Sequence, residues 1–130
     1  MTRHHTSHFT YTEATAWLKK NHTLLEELVD LVAGLRNAGY DIYSHSYFSG
    51  MGPNGKKETP ADMECLIEIL KYFDKSGVLV KGLEKGLIDF PYIRENGEEV
   101  YLCYLLGEGT ILYWHSKDGG FAARKPVSTL

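Results

Sequence analysis

The sequence predicts an α+β fold, in which an N-terminal antiparallel helical hairpin packs on a small C-terminal antiparallel β-meander. Apolar residues recur with a helical period up to Gly77, whereas from Val78 onward they form short runs rich in β-branched and aromatic side chains. No linker-like stretch divides the 130 residues. Residues 1–130 are therefore expected to form one domain, with the hairpin at 9–77 and the meander and tail at 78–130.

The first helix is expected to begin after Thr10. The Thr10 hydroxyl can cap the backbone amide of Glu13 while the Glu13 carboxylate reaches back, which makes a capping box. Gly39 is a suitable stop. The apolar stripe between these signals has helical spacing: Ala14, Trp17, Leu18, Leu24, Leu25, Leu28, Leu31, Val32 and Leu35.

An irregular insert at 40–58 is expected to separate the two helices. Its aromatic part, residues 40–48, could extend the first helix beyond the glycine or form a loop. The second helix is predicted to start at Thr59-Pro60, a cap followed by a residue that tolerates the first helical position, and to end at Gly77. Two such helices with one apolar face each predict an antiparallel pair.

A glycine-rich stretch in this insert resembles a phosphate-binding loop. Gly50-x-Gly52-x-x-Gly55 fits the dinucleotide pattern, and Gly50 to Lys56 follows the start of a P-loop. However, no apolar strand delivers the loop, Lys57 stands where a hydroxyl residue should bind Mg²⁺, and Pro53 removes an amide. We interpret the stretch as a connector and expect no nucleotide site.

The overall composition limits the class of protein. The net charge of −3 and the pI near 6.0 provide no general attraction for nucleic acid or an anionic membrane. No apolar run approaches the roughly 20 residues that span a bilayer. The polar, histidine-bearing start lacks the apolar core of a signal peptide and is expected to be a loose tail. The two cysteines, Cys65 and Cys103, suggest reduced thiols and a cytoplasmic protein.

Two turns set the expected strand pairing. If Asn96-Gly97 is a two-residue hairpin turn, Phe90 lies opposite Cys103. If the next loop has three residues, Tyr101 lies opposite His115, whereas a two-residue loop would separate Cys103 from His115. Side chains alternate between faces along a strand.

The C-terminal half contains a set of candidate functional residues: Asp89, Cys103, Glu108, Trp114, His115 and Arg124. In the expected register Asp89 points away from Cys103 and His115, so at most two of the metal-ligand types converge within the sheet. A zinc site needs three or four ligands. A divalent metal held by His115, Cys103 and Glu108 stays an option. Ordinary structural roles are equally available, such as a core position for Cys103 and a turn position for Glu108.

Both faces of the expected sheet are apolar and aromatic, and one helical hairpin can cover only one of them. An exposed apolar face marks an interface or a ligand groove, and a symmetric homodimer would cover it. The sequence thus favours a non-enzymatic, homodimeric module that binds a partner or small ligand. The alternative is a metal-binding protein or metal-dependent hydrolase that uses His115 with Glu108, Asp89 or Cys103.

Several spaced motifs together identify a resemblance: Gly86-Leu-Ile-Asp89-Phe90-Pro91, Leu102-Cys103-Tyr104, Gly107-Glu108, Tyr113-Trp114-His115, Gly120-Phe121 with Arg124-Lys125-Pro126, and the opening Phe9-Thr10-x-x-Glu13-Ala14. The chain resembles an uncharacterised bacterial family, domain of unknown function 2203, over nearly its whole length. It departs from the family at Tyr104, Thr15 and Ala123. The resemblance implies the fold class and one cytoplasmic domain but no activity.

Overall fold

A computed structural model describes residues 4–49 and 60–130. The described chain is α+β, as predicted, with helices followed by one five-stranded antiparallel sheet of strand order β1-β2-β3-β4-β5. The helices are α1 (Tyr11–Asn37), α2 (Ser46–Ser49) and α3 (Ala61–Ser76). The strands are β1 (Leu79–Gly82), β2 (Leu87–Ile93), β3 (Glu99–Leu105), β4 (Tyr113–Ser116) and β5 (Lys125–Pro126). None of the helices in the described ranges has the length and hydropathy of a membrane span.

The capping box at the start of α1 is confirmed. The Glu13 amide donates to the Thr10 hydroxyl at 3.0 Å, and the Thr10 amide donates to the Glu13 carboxylate at 2.8 Å. The helix ends at Asn37, and Gly39 follows with a φ of 79°, a left-handed conformation that favours glycine. Gly39 therefore stops the helix as expected.

The start of α3 is one residue later than predicted. Pro60 is the N-cap, with no side-chain cap, and the helix begins at Ala61, while Thr59 lies outside the described residues. The predicted stop at Gly77 is confirmed, because Gly77 has a φ of 85° and forms the left-handed C-cap.

Within the insert, the aromatic stretch does not extend α1. It forms a 3₁₀ turn at Ile42–Ser44 and then the short α2. The glycine-rich stretch from Gly50 to Lys56, for which no nucleotide site was expected, lies outside the described residues.

Aromatic packing joins α1, α3 and one face of the sheet, which we term the inner face. The Trp17 ring meets Phe73 at a centroid distance of 5.0 Å and Phe90 at 5.7 Å, both edge to face. Tyr72 on α3 donates its hydroxyl hydrogen to the Asn21 side chain at 3.0 Å. The inner face carries these buried residues: Ile88, Phe90, Val100, Leu102, Tyr104 and Trp114.

The expected pairing of β2 with β3 is wrong by one residue. Asp89, not Phe90, lies opposite Cys103. The Arg94 amide donates to the Glu98 carbonyl at 2.9 Å, so the loop between them has three residues and not two. Gly97 closes this loop with a φ of 88°, which is the usual way in which a three-residue hairpin ends. This one-residue difference in register exchanges the two faces of β2, so Asp89 lies on the same face as Cys103.

The expected pairing of β3 with β4 is confirmed, since Tyr101 lies opposite His115. The face opposite the helices, which we term the outer face, therefore carries six buried side chains: Asp89, Pro91, Glu99, Tyr101, Cys103 and His115. The expectation of two apolar faces is wrong, because the register of β2 places the charged Asp89 on the outer face, where the apolar Phe90 was expected.

The first residues that the structure describes lie against this outer face. Residues 4–9, which we term the N-terminal strap, contact β2 where the Phe9 amide donates to the Pro91 carbonyl at 2.8 Å. Pairing with β1 ends at Asp89, so Pro91 lies beyond the end of that strand. The strap then reaches Glu99 and Tyr101 on β3. The expectation of a loose histidine tail is corrected for the described part.

Candidate metal centre

Three potential metal ligands from three neighbouring strands converge on the outer face. Asp89 on β2, Cys103 on β3 and His115 on β4 each offer a ligand atom, and these atoms lie within 4.8 Å of one another. Asp89 is directly opposite Cys103, and His115 is one diagonal step away from it. The three residues are 1%, 1% and 4% exposed. The sheet register alone therefore assembles a buried thiol, imidazole and carboxylate.

The two ring nitrogens of His115 have distinct roles. Nδ1 lies 2.7 Å from the Ser116 carbonyl oxygen, which can only accept, so Nδ1 carries the hydrogen. Nε2 lies 2.9 Å from Asp89 Oδ2. Metal-bound histidines typically donate one ring N–H to a carbonyl or carboxylate while the other nitrogen binds the ion. His115 is therefore oriented so that Nε2 faces the centre of the cluster.

One carboxylate oxygen of Asp89 lacks a hydrogen-bond partner among the described residues. This atom, Oδ1, is buried. A buried acceptor without a partner costs about 1–3 kcal/mol, and more when it is charged. Native proteins satisfy most such atoms with a protein group, water or an ion. A cation bound at Oδ1 would satisfy this buried acceptor.

The protonation states in the absence of metal follow from burial and the neighbouring groups. Burial alone would lower the pKa of His115, but the hydrogen bonds with Asp89 and the Ser116 carbonyl outweigh it and raise the pKa. Burial and the charge of Asp89 raise the pKa of the Cys103 thiol to about 12, against the opposing charge of Arg124. Cys103 is thus a thiol at neutral pH and a poor nucleophile.

Glu108 and Arg124 form a separate clip beside the cluster. Glu108 Oε1 accepts from the Leu105 amide at 2.8 Å and from Arg124 Nη1 at 2.9 Å. The Arg124 guanidinium lies over the rings of Tyr113 and Phe121, at 4.2 and 4.1 Å. The structure does not bring the Glu108 carboxylate into the converging group, so it differs from the predicted ligand set of His115, Cys103 and Glu108.

Trp114 lies on the inner face, away from the ligands. Its indole Nε1 donates to the Thr129 hydroxyl at 2.9 Å and to the Pro126 carbonyl at 3.1 Å. The Arg94 guanidinium lies 4.7 Å from the centre of its ring. Trp114 therefore fastens the C-terminal segment and does not contribute to the cluster.

Sequence reasoning missed Glu99, whose side chain is fully buried at the start of β3. Its carboxylate accepts from the amides of His4 and His5 at 2.8 and 3.2 Å, and lies 2.6 Å from His8 Nε2. Lys117 Nζ is 3.8 Å away. The available signal was its position two residues before Tyr101, which places both on one face of the strand.

The contacts of Glu99 predict an acid-sensitive contribution to stability. Burial would raise the pKa of Glu99, but the hydrogen bonds from His8, His4 and His5 outweigh it and lower the pKa from 4.5 to about 2. Folding therefore favours the carboxylate, so the stabilisation is complete above a pH of about 4.5 and is lost as the pH falls towards about 2.

We expect urea unfolding measured across this pH window to show a smaller loss of stability for Glu99→Gln than for the wild type. Glu98→Gln, at a neighbouring carboxylate that is 44% exposed, is the control and should follow the wild type. Parallel pH profiles for the wild type and Glu99→Gln would contradict the expected role of this carboxylate.

The sequence profile of a family described as "Uncharacterized conserved protein (DUF2203)" matches residues 7–127. No curated protein and no solved structure matches the chain. The matched region contains Asp89, Cys103 and His115 and extends from within the N-terminal strap to the C-terminal segment. The resemblance noted in the sequence is thus confirmed, and the chain belongs to the DUF2203 family of uncharacterised conserved proteins.

Proposed function

We propose that this protein binds one divalent transition-metal ion through Asp89, Cys103 and His115, and that zinc fits this set best. The observation that carries the proposal is the convergence of the three ligand atoms within 4.8 Å in a buried part of the outer face. Zinc in proteins is bound by cysteine sulfur, histidine nitrogen and carboxylate oxygen. A thiolate ligand disfavours Mg²⁺ and Ca²⁺, which select oxygen.

The protonation of the cluster also supports a cation. Without an ion, the Cys103 thiol keeps its proton and Asp89 Oδ1 is left without a partner among the described residues. A bound divalent ion would displace the thiol proton, because a coordinating thiol is deprotonated. It would also satisfy the unpaired carboxylate oxygen. Catalysis by a cysteine nucleophile receives no such support.

The number of ligands bears on what the metal could do. Structural zinc sites usually have four protein ligands, whereas catalytic sites have three and keep the fourth position for water or substrate. The described residues supply three. This count supports a metal-dependent hydrolase over a purely structural site, because an ion with an open position can polarise a water or a carbonyl group.

The proposal also concerns the location, the packing and the assembly of the protein. We include a cytoplasmic location, since a reducing compartment keeps Cys103 free to bind metal, and an antiparallel helical hairpin that covers the inner face of a β-meander. Homodimerisation and a non-enzymatic interaction role stay predictions. Their motivation was a spare apolar sheet face, and the outer face instead contains buried Asp89, Glu99 and His115 and is contacted by the N-terminal strap at Glu99.

Titration with Co²⁺ tests the proposed site, because cobalt in a zinc site reports thiolate ligation through a sulfur-to-metal absorption band. Protein prepared without a histidine tag should bind one Co²⁺ with this band, and Zn²⁺ should displace it. Cys103→Ser should abolish the band. Cys65→Ser is the matched control, since Cys65 is exposed on α3, and should retain it.

Asp89→Asn should weaken binding by more than about 10- to 100-fold, because that is the scale of losing a neighbour that only supports a ligand, whereas Asp89 is itself a proposed ligand. Absence of the sulfur band in the wild type, or an equal band in Cys103→Ser, would overturn the proposed ligand set. Binding that disappears only when His4, His5 and His8 are replaced would place the metal on the strap instead.

A further inference from the structure

The metal ligands are too deeply buried to exchange an ion without movement of the chain. Asp89, Cys103 and His115 are at most 4% exposed. Two peripheral segments lie against the outer face: the N-terminal strap at Glu99 and Tyr101, and the segment around Arg124 beside Cys103. A path for metal must open where one of these segments moves.

The N-terminal strap is connected to the ligands through Tyr101. His5 Nε2 lies 2.7 Å from the Tyr101 hydroxyl, and the two rings pack edge to face with centroids 5.5 Å apart. The Tyr101 ring in turn lies 5.4 Å from the His115 ring. The strap therefore contacts Tyr101, and Tyr101 packs against the proposed metal ligand His115.

The strap is held mainly by polar contacts to a single carboxylate. Glu99 accepts from the amides of His4 and His5 and contacts the His8 ring. The clearest apolar anchor is at the end of the strap, where the Phe9 ring packs on Phe90 with centroids 5.2 Å apart. Residues 4, 6 and 7 are exposed, so little apolar surface opposes release of the part that precedes Phe9.

The other covering segment is fastened differently. Arg124 has both a carboxylate partner in Glu108 and two aromatic rings beneath its guanidinium, those of Tyr113 and Phe121. This segment also belongs to the sheet, since it contains β5, which pairs with β4. By contrast, three of the polar contacts of the strap converge on the Glu99 carboxylate. The strap is therefore the segment that a change at one side chain can release.

We propose that the N-terminal strap is a lid over the metal centre, latched by Glu99, and that its opening controls how fast the metal ion enters and leaves. This inference rests on the proposed metal site. Phe9, packed on Phe90 and bonded to Pro91, is the fixed end about which His4 to His8 lift away. The three ligands determine the equilibrium affinity for the metal ion, and the lid determines how fast the ion enters and leaves.

Glu99→Gln tests the latch, because glutamine keeps the shape of the side chain and removes the charge. Hydrogen bonds to a charged group are about twice as strong as neutral ones, so both Co²⁺ association and its release to a chelator should accelerate by about tenfold or more in stopped-flow absorption. The dissociation constant should stay within about threefold of the wild type, since both rates rise together.

His8→Ala is a second variant, which weakens the latch from the strap side without altering the sheet, and it should also accelerate both rates. Glu98→Gln is the matched control at a carboxylate that pairs with Arg94 and not with the strap, and it should leave both rates unchanged. If Co²⁺ associates and dissociates at wild-type rates in both Glu99→Gln and His8→Ala, the proposed lid is overturned, whereas the proposed metal site is not. A wild type that binds no Co²⁺ would instead overturn the proposed function itself.

Discussion

Replacing His115 with leucine should destabilise the metal-free protein by about 3–5 kcal/mol, which is the scale of breaking a buried ion pair by removing one partner. His115 Nε2 is the atom that lies 2.9 Å from Asp89 Oδ2, and both side chains are at most 5% exposed. Because Asp89 Oδ1 has no partner among the described residues, His115→Leu would leave the whole buried carboxylate uncompensated. Urea unfolding at neutral pH in the presence of a chelator measures the loss.

The double variant Asp89→Ala/His115→Leu is the control, because it removes the charge together with its partner. Replacing both members of a buried pair by apolar groups is often neutral or stabilising, so the double variant should recover at least about 2 kcal/mol of the loss. Such a recovery would mean that the pair is kept for its chemistry and not for stability. A single variant within about 1 kcal/mol of the wild type would contradict the buried pair.

Replacing Phe90 with alanine should cost about 3–5 kcal/mol, the range for a large aromatic side chain in a core. Phe90 is fully buried on the inner face and makes edge-to-face contacts with the rings of Phe9 and Trp17 at 5.2 and 5.7 Å. The alanine variant would therefore loosen the sheet from α1 and from the N-terminal strap at once. Urea unfolding again measures the free energy.

Phe121→Ala is the matched control for this core position. Phe121 is 47% exposed, and its main contact is the Arg124 guanidinium, so its removal should cost about 1 kcal/mol or less. Equal losses for the two phenylalanines would contradict the register, because an outward Phe90 opposite Cys103 would not carry the inner core.

The sequence was sufficient for the features that depend on local chemistry. The capping box of Thr10 and Glu13, the glycine stop at Gly77 and the change of period at Val78 are each written in a few neighbouring residues. The pairing of β3 with β4 could also be derived, because Tyr101 opposite His115 follows once the loop length is chosen.

The pairing of β2 with β3 could not be derived from the turn. Asn96-Gly97 fits a two-residue turn and also the end of a three-residue loop, and the two options differ by one residue in register. In the apolar run around Asp89 and Phe90, either face can be buried, so the hydrophobic pattern does not choose between them. This single ambiguity separated Asp89 from Cys103 and hid the convergence of the ligands.

The role of the N-terminal strap could not be predicted for a different reason. Its histidines are polar and non-periodic, which is typical of a free terminus. Their partner Glu99 is 95 positions from His4 along the chain, so no local pattern connects them. Such a contact becomes visible only when the sheet places Glu99 beneath the strap.

That separation along the chain has a consequence for biosynthesis. His4 is synthesised 95 residues before Glu99, and contacts so distant in sequence form late during folding. A nascent protein would thus pass through a stage in which the strands are paired and the histidine segment is still unattached. The proposed metal site would be accessible during this interval, before the strap folds back.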